Sequence, residues 1–236
     1  MRHLVLSCEH ASNRVPGAYR YLFRAAAKEL SSHVGWDPGA KKMAQMFHRQ
    51  LNAPLYCHPS TRLLVEPNRS LGHRRLFSRY TACLDPQTKK SILRRFYHPY
   101  RDQVETAIKE RVQRNWFVVH VSVHSFTPSL NGQHRNADVG LLYDPTRPRE
   151  KILCRVWESA IKQQRNDLRI RRNYPYRGAA DGFTTYLRKR FSQYRYAGIE
   201  LEVNQAWLHS ISAWNQLAKH LAQALSDALE DERLAS

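Results

Sequence analysis

Short apolar segments alternate with amphipathic ones along the chain, and this alternation restricts the fold more than any other feature. Residues 4–8, 53–57, 116–123, 139–143, 168–172 and 197–203 have the composition of strands. Residues 19–30, 41–51, 85–114, 150–164, 182–190 and 207–229 have apolar side chains at helical spacing, whereas residues 61–66 form a further extended run and residues 71–85 a loop. Strands separated by helices of about ten residues or more predict a three-layer α/β fold, with a mostly parallel or mixed sheet and helices on both faces.

Length and composition predict a single domain over residues 1–236. Hydrophobic residues make up 42% of the chain, enough for a sizeable core, and no linker rich in Pro, Gly and Ser divides it. No segment approaches the roughly 18 uninterrupted apolar residues of a membrane span, and the apolar run near Met1 is too short for a signal peptide. We therefore expect a cytoplasmic protein with no membrane partner. Its four widely spaced cysteines predict neither a disulfide framework nor a thiolate metal site.

The formal net charge of +18 raises the possibility of a polyanionic partner. A nucleic-acid- or polyanion-binding protein that keeps an enzyme-like fold without activity is therefore our alternative hypothesis. The basic residues occur in small separate clusters, such as Arg74-Arg75 and Arg94-Arg95, and no nucleic-acid-reading motif accompanies them. We favour solvated helix faces, or attraction of a small acidic substrate, as the role of the charge.

Polar side chains follow several of the predicted strands. His10 follows the first strand, His124 follows the strand that starts near Phe117, and Glu202 ends the last one. Parallel strands bring their carboxyl ends to one sheet edge, so we expect these groups to meet there. Two imidazoles and a carboxylate suit a catalytic zinc-type site with an open position for water, and Asp37 is a plausible third ligand. Glu200, two residues before Glu202 on the same strand face, is the alternative functional carboxylate.

Two residues beside His10 are further candidates at this predicted site. Glu9 is an alternative ligand, whereas the neutral amide of Asn13 is a poor ligand for a dication. We therefore place Asn13 outside the ligand set, as a residue that supports the ligands.

Seven motifs spread over the first 205 residues resemble, in order and spacing, those of the N-formylglutamate amidohydrolase family. They are CEHASNRVP at residues 8–16, HVGWDPGA at 33–40, TRLLVEPNR at 61–69, VHSFTP at 123–128, ADVG at 137–140, NYPYRG at 173–178 and IELE at 199–202. The resemblance implies a zinc-dependent exopeptidase-like fold. It also implies hydrolysis of the amide C–N bond of an N-acylated acidic amino acid, such as N-formylglutamate.

The same resemblance implies a role for individual residues of the metal site. It makes His10, His124 and Asp37 the ligands of a divalent metal, expected to be Zn²⁺. Beside them we expect Glu9 and Asn13 in supporting positions. Zinc exopeptidases commonly use a His-x-x-Glu pair, and this chain has Asn13 where that glutamate would stand.

The substrate-binding and proton-transfer roles also come from the resemblance. Asn68 and Arg69 resemble a pair that binds a substrate carboxylate, a task that suits the planar guanidinium fork. Arg62 is expected to add a second cationic contact, Ser125 to line the substrate site, and Arg62 or Arg69 to share the charge of the oxyanion. Glu202 resembles the general base. The family pattern continues with an arginine and an aspartate, whereas Asn204, Gln205 and Ala206 follow here.

Overall fold

The computed structural model describes residues 2–232 and contains a six-stranded, mostly parallel sheet. Its strands are β1 (Arg2–Cys8), β2 (Leu55–Cys57), β3 (Phe117–Phe126), β6 (Val139–Leu142), β7 (Ile170–Arg172) and β8 (Tyr196–Asn204), in the order β2-β1-β3-β8-β6-β7. Strand β6 is antiparallel to β8, and the other pairs are parallel. A separate two-stranded hairpin, β4 (Ser129–Leu130) and β5 (Gln133–His134), was not predicted.

Helices cover both faces of the sheet, which confirms the predicted α/β class. The helices are α1 (Ala27–Ser31), α2 (Ala40–Leu51), α3 (Pro86–Ile92), α4 (His98–Gln113), α5 (Pro148–Gln164), α6 (Phe183–Arg190) and α7 (Ile211–Glu230). One apolar cluster joins α2, α5 and α7 to residues such as Val121 and Ile199 on one face. Another joins α4 and α6 to Val5 and Val118 on the opposite face. Within residues 2–232, no helix has the length and hydropathy of a membrane span.

A third apolar cluster lies in two segments that contribute no strand to the sheet, and here two predictions are wrong. Residues 19–30 are not one helix, because a 3₁₀ segment (Gly17–Phe23) ends in a turn, where Ala26 N donates to Phe23 O at 3.0 Å, before α1 begins. Residues 61–66 are turns rather than an extended strand. Their apolar side chains Leu63, Leu64 and Val65 are buried against Ile92 and Tyr97 instead of in a sheet.

Two further predicted elements differ from the structure at their boundaries. The predicted helix 85–114 is helical without a gap in sequence but divided into α3, a π-helical segment (Leu93–Tyr97) and α4. Pro99 at the start of α4 lacks the N–H that a regular α-helix would use there. The last helix starts at Ile211 rather than at 207, because a 3₁₀ segment (Gln205–His209) comes first and the Ser210 side chain caps α7 by accepting from Ala213 N.

The sheet order brings the predicted polar groups to adjacent strands. Strands β1, β3 and β8 are neighbours and parallel. His10 follows β1, and the Cα atoms of His124 and Glu202 are partners in the β3–β8 register. His124 lies inside β3, because that strand continues to Phe126, beyond its predicted end. These three residues therefore lie together at the carboxyl edge of the parallel strands.

Candidate active site

His10, Asp37 and His124 bring three buried potential metal ligands together. One donor atom from each lies within 4.8 Å of the other two. The Nδ1 atoms of His10 and His124 lie 3.2 Å and 2.9 Å from Asp37 Oδ2, and the ring centroids are 4.9 Å apart. Asp37 reaches this position because its loop is tied to the end of β1, where Asp37 N donates to His10 O at 3.0 Å. The two imidazoles therefore face each other across one carboxylate oxygen.

The outer nitrogen of His10 is held by Glu66. Its Nε2 lies 2.6 Å from Glu66 Oε1, and Arg62 Nε donates to Glu66 Oε2 at 2.6 Å. Arg62 Nη1 also lies 3.5 Å from Asp37 Oδ1. Burial alone would raise the pKa of Glu66, but Arg62 and His10 outweigh it and hold that pKa well below its usual value. Glu66 is therefore a carboxylate anion that fixes the His10 ring.

The outer nitrogen of His124 faces a second buried carboxylate. His124 Nε2 lies 2.8 Å from Ser122 Oγ and 3.2 Å from Glu9 Oε2, and Ser122 Oγ donates to Glu9. Burial opposes protonation of His124, but Asp37 and Glu9 outweigh it and raise the His124 pKa well above its usual value. Glu9 is therefore a buried carboxylate on the outer side of the His124 ring.

A chain of buried side chains continues from Glu9 beneath the sheet edge. Ser7 Oγ donates to Glu9 Oε1 at 2.8 Å and lies 2.8 Å from His120 Nε2, and His120 Nδ1 lies 2.9 Å from the Tyr196 hydroxyl. Because the Ser7 hydrogen goes to Glu9, His120 must donate from Nε2 and accept at Nδ1. Tyr100 OH also donates to Glu9 Oε1, at 2.9 Å. A neutral His120 therefore forms hydrogen bonds with both Ser7 and Tyr196.

Glu202 is the carboxylate beside the histidine pair. Its side chain is 5% exposed, and Oε2 has no hydrogen-bond partner within residues 2–232. Burial, opposed by His124 and assisted by Asp37 and Glu200, raises the pKa of Glu202 to about 8. Glu200 lines the same cleft but accepts a hydrogen bond from Thr184 Oγ1. Of the two candidate carboxylates, Glu202 is thus the one with an unused buried oxygen.

Asn68 and Arg69 line the same cleft. Asn68 Oδ1 accepts from Phe183 N at 2.7 Å, at the start of α6. This bond fixes the orientation of the amide and leaves its Nδ2 as the donor available to the cleft. Arg69 Nη1 donates to the Asp181 backbone oxygen, and within the described chain its guanidinium forms no ion pair with a carboxylate. Both side chains line a cavity of about 420 Å³ that also contains His10, His124 and Glu202.

The last two predicted site residues take different positions. Ser125 lines the cleft, but its hydroxyl donates to Pro38 O at 2.6 Å and accepts from Gln205 Nε2 at 3.0 Å. Ser125 therefore holds the loop that carries Asp37. Asn13 is exposed and does not line the cleft, so the structure does not bring it to the histidine pair.

The sequence profile of one family covers most of the chain. The profile described as "FGase: N-formylglutamate amidohydrolase" matches residues 2–208. The chain belongs to the N-formylglutamate amidohydrolase family. Membership confirms the resemblance found in the motifs and supports hydrolysis of an amide bond. A search of curated proteins found no match to the chain.

Two solved structures resemble the protein over nearly its whole length. Gene product Atu2144 from Agrobacterium tumefaciens has 28% sequence identity and a TM-score of 0.83, with 96% of this chain and 90% of that chain covered. An N-formylglutamate amidohydrolase from Ralstonia eutropha JMP134 has 17% identity and a TM-score of 0.71, with 98% and 94% covered. At that identity, the second structure supports the fold alone.

Several residues of this amidohydrolase-family site were missed in the sequence. The sequence pattern predicts that Glu66 ends an extended run, although its spacing of four from Arg62 and its position before Pro67-Asn68-Arg69 are visible signals. Ser122 and His120 could have been found by strand alternation, because every second residue of β3 back from His124 faces the same side. Gln205 gives no comparable signal, since its contact with Ser125 depends on the path of the chain after β8.

Proposed function

We propose that the protein is a metal-dependent amidohydrolase, with Zn²⁺ as the metal, that removes the acyl group from an N-acylated acidic amino acid such as N-formylglutamate. The observation that carries this proposal is the meeting of His10, His124 and Asp37 beside Glu202, in a cleft bounded by Asn68 and Arg69. We further propose that residues 1–236 form a single domain. That proposal is supported by a sheet containing strands from both ends of the chain and by α7 packing on α2 and α5.

The donor set fits a divalent metal ion. Glu66 and the Ser122–Glu9 pair accept a hydrogen from the outer Nε2 of each imidazole, which leaves the two Nδ1 lone pairs directed at Asp37. Without a cation, both Nδ1 atoms need a proton to face the same carboxylate oxygen favourably. His10, His124 and Asp37 would hold the ion, and two imidazoles with one carboxylate form a common zinc site with an open position. When bound, the ion supplies an acidified water and polarises the acyl carbonyl.

Glu202 is proposed to move the proton of the reaction. Burial, opposed by His124, raises the pKa of Glu202 to about 8, which lies close to neutral pH, where a side chain that accepts and then donates a proton is most efficient. Glu202 then accepts a proton from the water that adds to the acyl carbon. The same proton passes to the amide nitrogen as the C–N bond breaks, which releases formate and the free amino acid.

The cleft residues are proposed to bind and orient the substrate. The free N–H groups of Arg69 and Asn68 Nδ2 are donors for a substrate carboxylate. Arg62 is occupied by Glu66 and Asp37, so its guanidinium orients the acidic groups of the metal site. A substrate held at Asn68 and Arg69 would lie in the same cavity as Glu202, which is proposed to act on its acyl amide.

Formate release from N-formyl-L-glutamate by the zinc-loaded protein tests this function. We expect Glu202→Gln to lower kcat by about 100- to 10,000-fold with zinc still bound, since proton transfer is lost while the ligands remain. Glu200→Gln is the matched control on the same strand face, and we expect it to keep most of the activity. Loss in the Glu200 variant with activity retained in the Glu202 variant would reverse the assignment. A protein that binds no divalent ion, hydrolyses no acyl amino acid and binds nucleic acid would instead support the polyanion-binding alternative.

A further inference from the structure

Two segments of the chain carry a large share of the protein's positive charge. Residues 14–31 and 62–97, which we call the basic lobe, contain 13 of the 38 Lys and Arg residues but 3 of the 20 Asp and Glu residues. Their formal net charge is +10, out of +18 for the chain. The lobe thus carries more than half of the net charge in fewer than a quarter of the residues.

The charges of the basic lobe lie on its surface. The third apolar cluster forms the interior of the lobe, with Tyr19, Phe23, Leu64, Ile92 and Tyr97 buried. Ten of its basic residues are exposed: Arg14, Arg20, Arg24, Lys28, Arg74, Arg75, Arg79, Lys90, Arg94 and Arg95. Within residues 2–232, one of these ten forms an ion pair, namely Arg79 with Glu29. The other nine positive charges are uncompensated and available to a polyanion.

The basic lobe also forms one wall of the catalytic cleft. Arg62, Asn68, Arg69 and Arg75 all belong to the lobe, and they line the same cavity as Glu202. Arg75 lines the cleft and is also exposed, and the next residue in sequence, Arg74, is exposed outside the cleft. The positive surface therefore extends from the cleft to the outside of the lobe. An anionic chain lying on the lobe would therefore have its end close to the catalytic residues.

The observations favour a chain of carboxylates over a nucleic acid. Single-stranded nucleic acids bind on rows of exposed aromatic side chains, whereas Tyr21 is the one large aromatic residue that the described part of the lobe strongly exposes. Guanidinium groups bind carboxylates well, and the family acts on an amide bond. An acidic peptide contains both carboxylates and amides.

We infer that the substrate is an N-acylated acidic peptide, whose first residue occupies the cleft while its following carboxylates lie on the basic lobe. This inference rests on the proposed function, because the reaction is the same hydrolysis of the N-terminal acyl amide. Water adds to the acyl carbon, the C–N bond breaks, and the peptide leaves with a free amino group. The lobe contributes affinity for the part of the peptide beyond its first residue.

Substrate length and salt dependence test the inference. We expect kcat/KM for N-formyl-octaglutamate to exceed that for N-formyl-L-glutamate by about tenfold or more at low salt, since each exposed ion pair contributes up to about fivefold and the peptide can form several. An eight-residue chain spans up to about 26 Å when extended, long enough to leave the cleft. At about 1 M NaCl the Debye length falls to about 3 Å, and the preference should disappear.

Two triple variants distinguish an effect of the basic lobe on substrate preference from an effect of the protein's overall positive charge. R74E/R94E/R95E reverses three exposed charges of the lobe. K151E/R155E/K219E reverses three charges of α5 and α7, of which Arg155 and Lys219 are exposed and Lys151 is half-buried, and serves as the control. We expect both to hydrolyse N-formyl-L-glutamate as the natural protein does, because none of these residues lines the cleft. The lobe variant should lose most of the preference for the peptide, and the control should retain it.

Three outcomes would overturn the inference. Hydrolysis of N-formyl-L-glutamate with no preference for the peptide, or an equal loss of preference in both triple variants, would refute the role of the lobe and leave the proposed function intact. Hydrolysis of neither compound would refute the proposed function and the inference together. Tighter binding of single-stranded RNA than of octaglutamate, lost in the lobe variant, would assign the surface to nucleic acid instead.

Discussion

Replacement of Ser122 by alanine tests how the His124 ligand is held. The Ser122 hydroxyl donates to the Glu9 carboxylate and lies 2.8 Å from His124 Nε2. Ser122→Ala therefore removes one donor from a buried anion and one acceptor from the imidazole. Loss of a hydrogen bond to a charged group typically costs about 1.5 to 3 kcal/mol, so we expect the metal-free protein to lose about 2 kcal/mol of unfolding free energy.

The effect on metal affinity follows from the contact that remains. Loss of a group that orients a metal ligand usually weakens metal binding by about 10- to 100-fold. His124 Nε2 keeps Glu9 Oε2 at 3.2 Å, so the ring retains one partner in the variant. We therefore expect the lower end of that range, about tenfold, for the affinity of Ser122→Ala for Zn²⁺.

Competition with a chromophoric zinc chelator at fixed pH measures this affinity directly. Ser60→Ala is the matched control, because Ser60 is also buried but its hydroxyl has no hydrogen-bond partner in the described chain. We expect the control to bind Zn²⁺ as the natural protein does. If Ser122→Ala lost stability but bound Zn²⁺ as tightly as Ser60→Ala, the hydroxyl would be purely structural and our account of the His124 ring would be refuted.

Three other predictions concern pH, packing and substrate binding. Burial, opposed by Glu9, lowers the pKa of His120 to about 4, so protonation of this histidine favours the unfolded state. As the pH falls from about 7.5 to about 5, this effect should lower the free energy of unfolding by about 2 kcal/mol. Urea unfolding of His120→Gln should show a smaller loss, and an unchanged loss would contradict a neutral His120. Gly140→Ala would place a Cβ 2.0 Å from Tyr174 O and should lower the free energy of unfolding by about 1 to 3 kcal/mol; an unchanged melting temperature would argue against this packing. Arg69→Lys should raise KM about tenfold with little change in kcat, because lysine lacks the guanidinium fork; an unchanged KM would remove Arg69 from the substrate site.

The sequence was most informative where the site depends on parallel strands. Apolar runs that end in His10, His124 and Glu202 indicated one sheet edge, because strand direction alone determines where such ends lie. The adjacency of β1, β3 and β8 supplies the rest of this geometry, and strand order is not visible in the chain. Asp37 is a candidate ligand from its residue type and loop position, but in the structure its place depends on a hydrogen bond to the His10 backbone, which the sequence does not reveal.

The sequence was least informative in the basic lobe. Leu63, Leu64 and Val65 look like part of a strand, yet they are buried in turns because Ile92 and Tyr97 supply their partners from thirty residues away. This error also hid Glu66, whose role requires a turn that directs it at His10. Local patterns predict burial but not which distant segment provides it. The cytoplasmic location stays a prediction.

Anomalous X-ray diffraction at the zinc edge, on crystals of the zinc-loaded protein, tests the central claim most directly. We predict one strong peak at about 2.0 to 2.2 Å from the Nδ1 atoms of His10 and His124 and from a carboxylate oxygen of Asp37, with Glu202 facing the open position. A peak elsewhere, or no peak between the two imidazoles in protein that hydrolyses N-formylglutamate, would contradict the proposed metal centre.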